Sequence, residues 1–560
     1  MGSTLKFIPL LSALLLLAAW LAPNHYLPWA AFYNEIPAVF ALLALSMAVF
    51  SIRQPVALPH PAIFVFLLAF IPLLQFGSGL IVFLGDAIIA AAYLAALASS
   101  IVLGANLARA WGERFGQRLA WVCLIGAAAS LVLAAHQWLG LEYFGVWLMD
   151  MPPNGRPYAN LAQPNNLATL LCLGLAAAIY LREREQFGRL GMALLALMLL
   201  SGIAMTRSRM AVLVVLLIAG WMLWGRRRVA LRCSPIETVL GLFTFGLLWA
   251  GWSTISDALY LGAEATSERI QNTFSGDARL LMWQQLLDAV LRQPVFGYGW
   301  NQLSFAQIAV VAEYPNSINT HYGHNLLVDL LVWNGVFLGA FIILAIAGWF
   351  AMQVHRVKSQ ETWFALLFVI VILTHSMLEL PHAYTYFLLP AGLCIGIVSH
   401  RRLAYCPAVS IRAYGIAIAL GVALSGWIFV EYLRIEADYR LLRFEARGIE
   451  RRLPAKTAPD IVLLTQLEEL IKFARTEARE GMTNQEVRWM ESVAHRYSYP
   501  PALMRYALAL GLNNRPAEAA LELRRLKQIQ PVDRFAEVRD TWPSLVSHYP
   551  QLGKVEFPAD

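Results

Sequence analysis

His321-Tyr-Gly-His324-Asn325-Leu326-Leu-Val-Asp-Leu-Leu-Val-Trp-Asn-Gly335-Val-Phe-Leu-Gly-Ala-Phe-Ile-Ile-Leu-Ala-Ile-Ala-Gly-Trp-Phe350 is the stretch that decides the fold. A mostly polar segment running from roughly Thr254 ends at His321–Asn325, and the chain then enters an apolar run that reaches Phe350. A run of about 17–25 apolar residues is long enough to cross a bilayer as a helix. Hydrocarbon offers no hydrogen-bond partners, so such a run must satisfy its own backbone.

Working outward, about thirteen runs of this kind appear, at roughly 6–23, 35–52, 61–77, 80–103, 118–139, 160–181, 189–205, 209–225, 236–253, 325–351, 361–379, 384–399 and 411–431. Hydrophobic residues make up 59% of the 560 and charged residues only 14%. A water-soluble globule carries about a quarter charged residues, and the deficit is what lipid as solvent requires. The polar alternation of a membrane barrel is absent. The expected fold is all-α: a polytopic membrane protein with a large periplasmic loop and a C-terminal periplasmic helical domain. Its parts are membrane helices over 1–253, the loop over 254–324, further membrane helices over 325–431 and the helical domain over 432–560.

Cations set the orientation. Arg53; Arg109, Arg114 and Arg118; Arg182, Arg184 and Arg189; Arg226–Arg228 and Arg232; Arg356 and Lys358; and Arg401 and Arg402 occupy alternate connections, which places those on the cytoplasmic side. The N-terminus is then cytoplasmic and the C-terminal domain periplasmic. Lys6 and the first apolar run resemble a signal peptide, but Pro23-Asn24-His25 reads as a helix end and the run as an anchor. The formal charge of +7 is this orientation signal rather than a nucleic-acid footprint, which needs a clustered basic face. The five cysteines, Cys123, Cys172, Cys233, Cys394 and Cys406, lack metal-ligand spacing and read as packing residues. Around Tyr506–Leu523 the helical period breaks at Gly511-Leu-Asn-Asn-Arg-Pro516 and resumes, the pattern of a tetratricopeptide-like helical hairpin.

The residues able to carry chemistry sit at span ends on the outer side. Thr206-Arg207-Ser208-Arg209 is a very short turn holding two cations, and a charge at membrane depth costs about 2.5–3.5 kcal/mol on insertion scales. A guanidinium keeps its charge and offers a planar fork suited to a pyrophosphate. Arg279 opens a segment in which Leu280, Trp283, Leu286, Leu287 and Val290 recur at three-to-four spacing, an amphipathic helix suited to the membrane surface. His324 places a titratable imidazole where a lipid headgroup meets water and is the candidate general base; His321 competes for that role. His375 and Glu379 lie one helical turn apart and can meet a sugar or an arginine. Asn160, Gln163 and Asn165 open a span with amides, which suit sugar hydroxyls or cap the helix. The acidic residues Glu264, Glu268, Asp277, Asp288 and Glu313 are scattered, so no metal ligand is assigned.

In this order the segments resemble a known family. His324-Asn325, nine residues and Gly335, after Arg279-x-x-x-Trp283 and Pro294-x-x-Gly297-x-Gly299, look like the O-antigen ligase and polymerase superfamily. Gln163-Pro-Asn165-Asn166, His375-Ser-x-x-Glu379-x-Pro381-x-x-Tyr384-x-x-Phe387, His25-Tyr-Leu-Pro28-Trp29 and Asn34-Glu35 resemble the PglL-like protein O-oligosaccharyltransferases. That resemblance implies transfer of a whole glycan from undecaprenyl pyrophosphate to a pilin or other exported protein, with no cofactor, nucleotide sugar or metal. It maps the essential histidine onto His324 and the pyrophosphate-binding arginines onto Arg207 and Arg279, with Arg209 beside them. Gln163 and Tyr384 take positioning roles, with Tyr386 close by. The expected partners are the lipid-linked oligosaccharide, the acceptor protein and membrane lipid, and no nucleic acid. A ligase delivering the glycan to lipid A core, or a lipid-linked glycan transporter, would share many of these features.

Overall fold

The computed structural model describes residues 3–52, 54–152, 155–259, 276–315, 317–447, 457–529 and 532–558. Arg53, Glu264, Glu268, Arg269, Arg451 and Arg452 lie outside them, as does the side chain of Asp277. All thirteen apolar runs are helical. Among the described residues nine helices are long and apolar enough to cross a membrane: Phe32–Ile52, His60–Gly77, Leu84–Trp111, Glu113–Trp138, Pro164–Glu183, Pro235–Ala258, Leu326–His355, Thr385–Tyr405 and Ile411–Glu445. The other four runs give the shorter helices Phe7–Leu21, Arg189–Met205, Arg209–Gly225 and Gln360–Ser376. The chain is an all-α multi-pass membrane protein, and the described β-structure is a two-residue antiparallel pairing of Val56–Ala57 with Ala408–Val409.

The chain divides into two compact units. The first takes residues 1–68, 93–270 and 346–427. Its central helix, Pro164–Glu183, is apolar on every side and packs against Glu113–Trp138, Arg189–Met205, Arg209–Gly225 and Gln360–Ser376. Between helices in lipid the hydrophobic effect offers little, so close van der Waals fit carries the association. Gly174 meets Ala127 of Glu113–Trp138, and Gly104 meets the backbone of Leu393, positions where a methyl group would collide. Ser100 reinforces that second crossing by donating its hydroxyl to the Leu389 carbonyl.

The second unit takes residues 69–92, 271–345 and 428–560. Its core joins Phe83, Ile308 and Val311 to Val487, Met490, Tyr506, Leu510 and Leu523 from the C-terminal helices. Each such apolar side chain contributes about 1.5–3 kcal/mol when fully buried. Those helices are Thr465–Arg475, Asn484–Arg496, Pro500–Leu512, Pro516–Ile529 and Val532–His548. The expected break is present. Asn514 turns left-handed (φ 58°), the Arg515 amide closes on the Leu510 carbonyl at 3.0 Å, and Pro516 opens the next helix.

The run from Leu326 is not one continuous helix. Gly335 stands inside it at φ 73° and ψ 179°, a conformation open essentially to glycine alone. The backbone groups freed there find partners. Tyr298 N–H donates to the Val332 carbonyl (2.8 Å), Gly299 N–H to the Trp333 carbonyl (3.1 Å), and Val336 N–H to the Pro294 carbonyl (2.7 Å). Gln75 also donates to the Trp333 carbonyl (3.0 Å) and accepts from Trp300 N–H (2.9 Å). Bilayer physics tolerates non-helical backbone where protein satisfies it. The glycines spaced Pro294-x-x-Gly297-x-Gly299 are the strand of chain that does so.

Candidate active site

In the second unit the backbone around His324 is pinned on both sides. Trp283 Nε1 donates to the Gly323 carbonyl at 2.7 Å, and Gly323 N–H donates to the buried Asp329 carboxylate at 2.6 Å. On the far side, the Asn325 side chain accepts from Leu327 N–H at 2.9 Å and its carbonyl from Asp329 N–H at 3.0 Å. Asn325 therefore caps the helix. His324 is 9% exposed and left-handed, φ 50°, a state that costs a non-glycine residue about 1–3 kcal/mol and recurs at functional positions.

Arg279 lies one turn before Trp283 on the helix Gly276–Arg292, so one face carries a guanidinium and the indole that grips the His324 loop. The amphipathic reading of this helix needs correction. Met282, Leu286, Ala289 and Val290 are buried in protein, whereas Leu280, Leu287 and Leu291 point outward. Two apolar stripes sit on opposite faces, and the expected single stripe mixed members of both. Three residues upstream of His324, His321 Nε2 lies 3.0 Å from the Tyr499 hydroxyl. Loss of water, then the Arg496 charge, push its pKa down to about 4, with Asp86 opposing.

In the first unit a second cluster gathers most of the residues expected to position substrate. Glu379, 2% exposed, accepts from Asn165 Nδ2 at 2.8 Å and Gln163 Nε2 at 3.3 Å. Gln163 is the cap residue of Pro164–Glu183 and Asn165 lies in its first turn, so the carboxylate sits at the positive end of a helix dipole. His375, fully buried, shares a short hydrogen bond with Thr169 Oγ1 on the same helix. Tyr384 stacks on Tyr386 with ring centres 5.2 Å apart.

The turn between Arg189–Met205 and Arg209–Gly225 exposes both its arginines. Arg207 is left-handed (φ 50°), donates to the Trp249 carbonyl at 3.3 Å and holds its guanidinium 5.8 Å from the Trp249 ring centre. Its own carbonyl accepts from Arg156 at 3.3 Å. Nearby chain is fixed by two buried amides. Asn160 Nδ2 donates to the Leu21 and Trp147 carbonyls (2.7 and 2.8 Å), while Gln137 bonds Met149, Tyr158 and Ala159 backbone. Asn160 is thus a structural hub rather than a sugar ligand.

Comparison with known proteins follows the same segments. Residues 157–181 match the family described as protein glycosylation ligase, 193–344 the O-antigen ligase family, and 363–544 the C-terminal region of virulence factor membrane-bound polymerase. The chain is 31% identical over 536 residues to a general O-oligosaccharyltransferase of Acinetobacter baylyi, covering 94% of this chain and 92% of that protein. The chain belongs to the O-oligosaccharyltransferases of the O-antigen ligase superfamily. A second relative in that organism, a ComP-specific O-oligosaccharyltransferase, is 28% identical over 388 residues, 69% of this chain and 70% of its own.

As a member of this group the protein is a glycosyltransferase. The three matched stretches divide its candidate residues. The glycosylation-ligase stretch holds Gln163 and Asn165, the ligase stretch Arg207, Arg209, Arg279 and His324, and the polymerase stretch His375, Glu379 and Tyr384. Within the first unit Gln163, Asn165 and Glu379 meet directly; within the second, Trp283 links the Arg279 helix to the His324 loop. Gln75, Gln137 and Asp329 escaped the sequence reading. Asp329 alone left a signal, a single carboxylate one turn into an apolar run.

Proposed function

We propose that this O-oligosaccharyltransferase moves a preassembled glycan en bloc from undecaprenyl pyrophosphate to a serine or threonine hydroxyl of a pilin or other exported protein. The reaction takes place at the periplasmic face of the bacterial inner membrane, in a chain of thirteen spans with a cytoplasmic N-terminus and a periplasmic domain over 432–560. His324 takes the proton of the acceptor hydroxyl, and that oxygen attacks the anomeric carbon as its bond to the pyrophosphate breaks. The leaving undecaprenyl pyrophosphate gains negative charge, which Arg207, Arg279 and Arg209 meet with fixed positive charge. Gln163, Asn165, Glu379, His375 and Tyr384 position substrate. Single displacement inverts the anomeric centre.

The observation carrying this reading is the pinned, left-handed backbone at His324. Strain of this kind persists only where the surrounding structure holds it, and it clusters at functional sites. Likeness over nearly the full length to a general O-oligosaccharyltransferase supports protein as acceptor rather than lipid A core. The test is co-expression with an assembled undecaprenyl-linked glycan and a tagged pilin. The native chain should add the glycan mass to the pilin, and His324→Ala should abolish that shift while reaching the membrane in normal amount. Wild-type transfer by the variant removes the base assignment. Glycan appearing on lipid A core instead removes the protein acceptor.

A further inference from the structure

The C-terminal helices of this chain would ordinarily be read as an appended partner-binding module. In the second unit they instead reach the loop that ends at His324. The turn Arg496-Tyr497-Ser498-Tyr499 joins Asn484–Arg496 to Pro500–Leu512, and two of its residues, Ser498 and Tyr499, bond to that loop. Asn319 Nδ2 donates to the Ser498 carbonyl (2.8 Å), and Ser498 Oγ returns a bond to Asn319 Oδ1 (3.0 Å). Two residues on, His321 Nε2 meets the Tyr499 hydroxyl at 3.0 Å, with the rings edge-on.

The turn is itself anchored. Arg496 forms a two-pronged pair with Asp86, Nε to Oδ2 at 2.8 Å and Nη2 to Oδ1 at 2.7 Å, with both side chains nearly out of water. Gln302 donates to the same carboxylate at 3.2 Å. A bidentate pair of this kind fixes orientation as well as proximity. The loop therefore has two independent holds. Trp283 and Asp329 fix its end at Gly323, and the 496–499 turn fixes its start at Asn319 and His321.

We propose that the 496–499 turn is a positioning element of the transfer site, setting where the 319–324 loop places His324. This rests on the reading of His324 as the base. Tyr499, Ser498 and Asn319 touch no reacting atom and act through the loop alone. Tyr499→Phe keeps the ring and removes one hydroxyl; Asn319→Ala removes the reciprocal pair. Loss of one such bond corresponds to about a fivefold change in rate.

The experiment uses the full chain in nanodiscs with an undecaprenyl-pyrophosphate-linked oligosaccharide and a purified pilin subunit. Tyr499→Phe should lower kcat about fivefold and Asn319→Ala, which removes two bonds, about 25-fold; both should leave KM for the donor unchanged and unfold within a few degrees of the native chain. The double variant Asn319→Ala/Tyr499→Phe should fall by less than the product of the singles, because both release one loop. Ser498→Ala removes one bond of the reciprocal pair and adds no atom to this fully buried position, so kcat should fall about fivefold. Native kcat in the singles, or a loss confined to thermal stability, overturns the proposal while leaving His324 in place. Should His324→Ala itself retain transfer in the same assay, the underlying base reading fails instead.

Discussion

Replacing Gly335 with alanine tests the construction that holds the second unit's membrane helix to the Pro294–Gly299 segment. The backbone there is at φ 73° and ψ 179°, and a Cβ would lie 2.5 Å from the Val295 carbonyl oxygen and 2.7 Å from that of Pro294. Neither neighbour is a side-chain end that can swing away; both are main chain. A non-glycine residue in that region costs about 1–3 kcal/mol. Relieving the contact means parting the two segments, which gives up the bonds Tyr298 to Val332, Gly299 to Trp333 and Val336 to Pro294, each worth about 1 kcal/mol net. The total is about 5 kcal/mol, as large as the whole stability of many domains. Gly348→Ala in the same helix is the control, since nothing lies within 4 Å of a Cβ there. Thermal unfolding of the purified proteins should show Gly335→Ala far below native and Gly348→Ala at or above it. Equal midpoints for the two variants would refute the account of the break.

Trp283→Phe keeps the ring but loses the indole N–H that holds the Gly323 carbonyl; kcat should fall about fivefold with membrane levels unchanged, and an unaltered kcat would show that the grip is incidental. Arg207→Lys preserves charge but not the planar fork, so transfer should drop about tenfold or more in a steady-state assay, whereas full activity would remove Arg207 from the pyrophosphate site. His321, held down to about 4 by burial and the Arg496 charge, binds fewer protons folded than unfolded below its ordinary value near 6.5. Its contribution to stability is present above about pH 6.5 and is lost as pH falls toward 4; His321→Asn should flatten the thermal-stability profile in that window, and an unchanged slope would contradict the assignment.

Much of the architecture could be read from the chain because lipid imposes simple demands. Thirteen apolar runs become helices since nothing else satisfies their backbone, and the Asn513–Pro516 break carries its own cap chemistry. The helix Gly276–Arg292 shows where that legibility stops. Periodicity reveals apolar positions but not which environment each stripe meets, so outward Leu280 and Leu287 were merged with buried Leu286 and Val290. Gln75 is harder still. It is one amide in an apolar segment, and its partner Trp333 lies 258 residues away, a pairing that no local pattern encodes. Gly335 stood out through its spacing from His324, yet composition read the run as unbroken, because only the backbone angles reveal the interruption.

The outward leucines of Gly276–Arg292 have a further effect on the enzyme at work. Leu280, Leu287 and Leu291 ride the same rod as Arg279 and the indole that steadies the imidazole's loop. Were a bilayer to receive them, its thickness would set the depth of that rod. Activity should then respond to acyl-chain length in the surrounding bilayer, and a thin detergent micelle would detune a reaction whose chemistry it never touches.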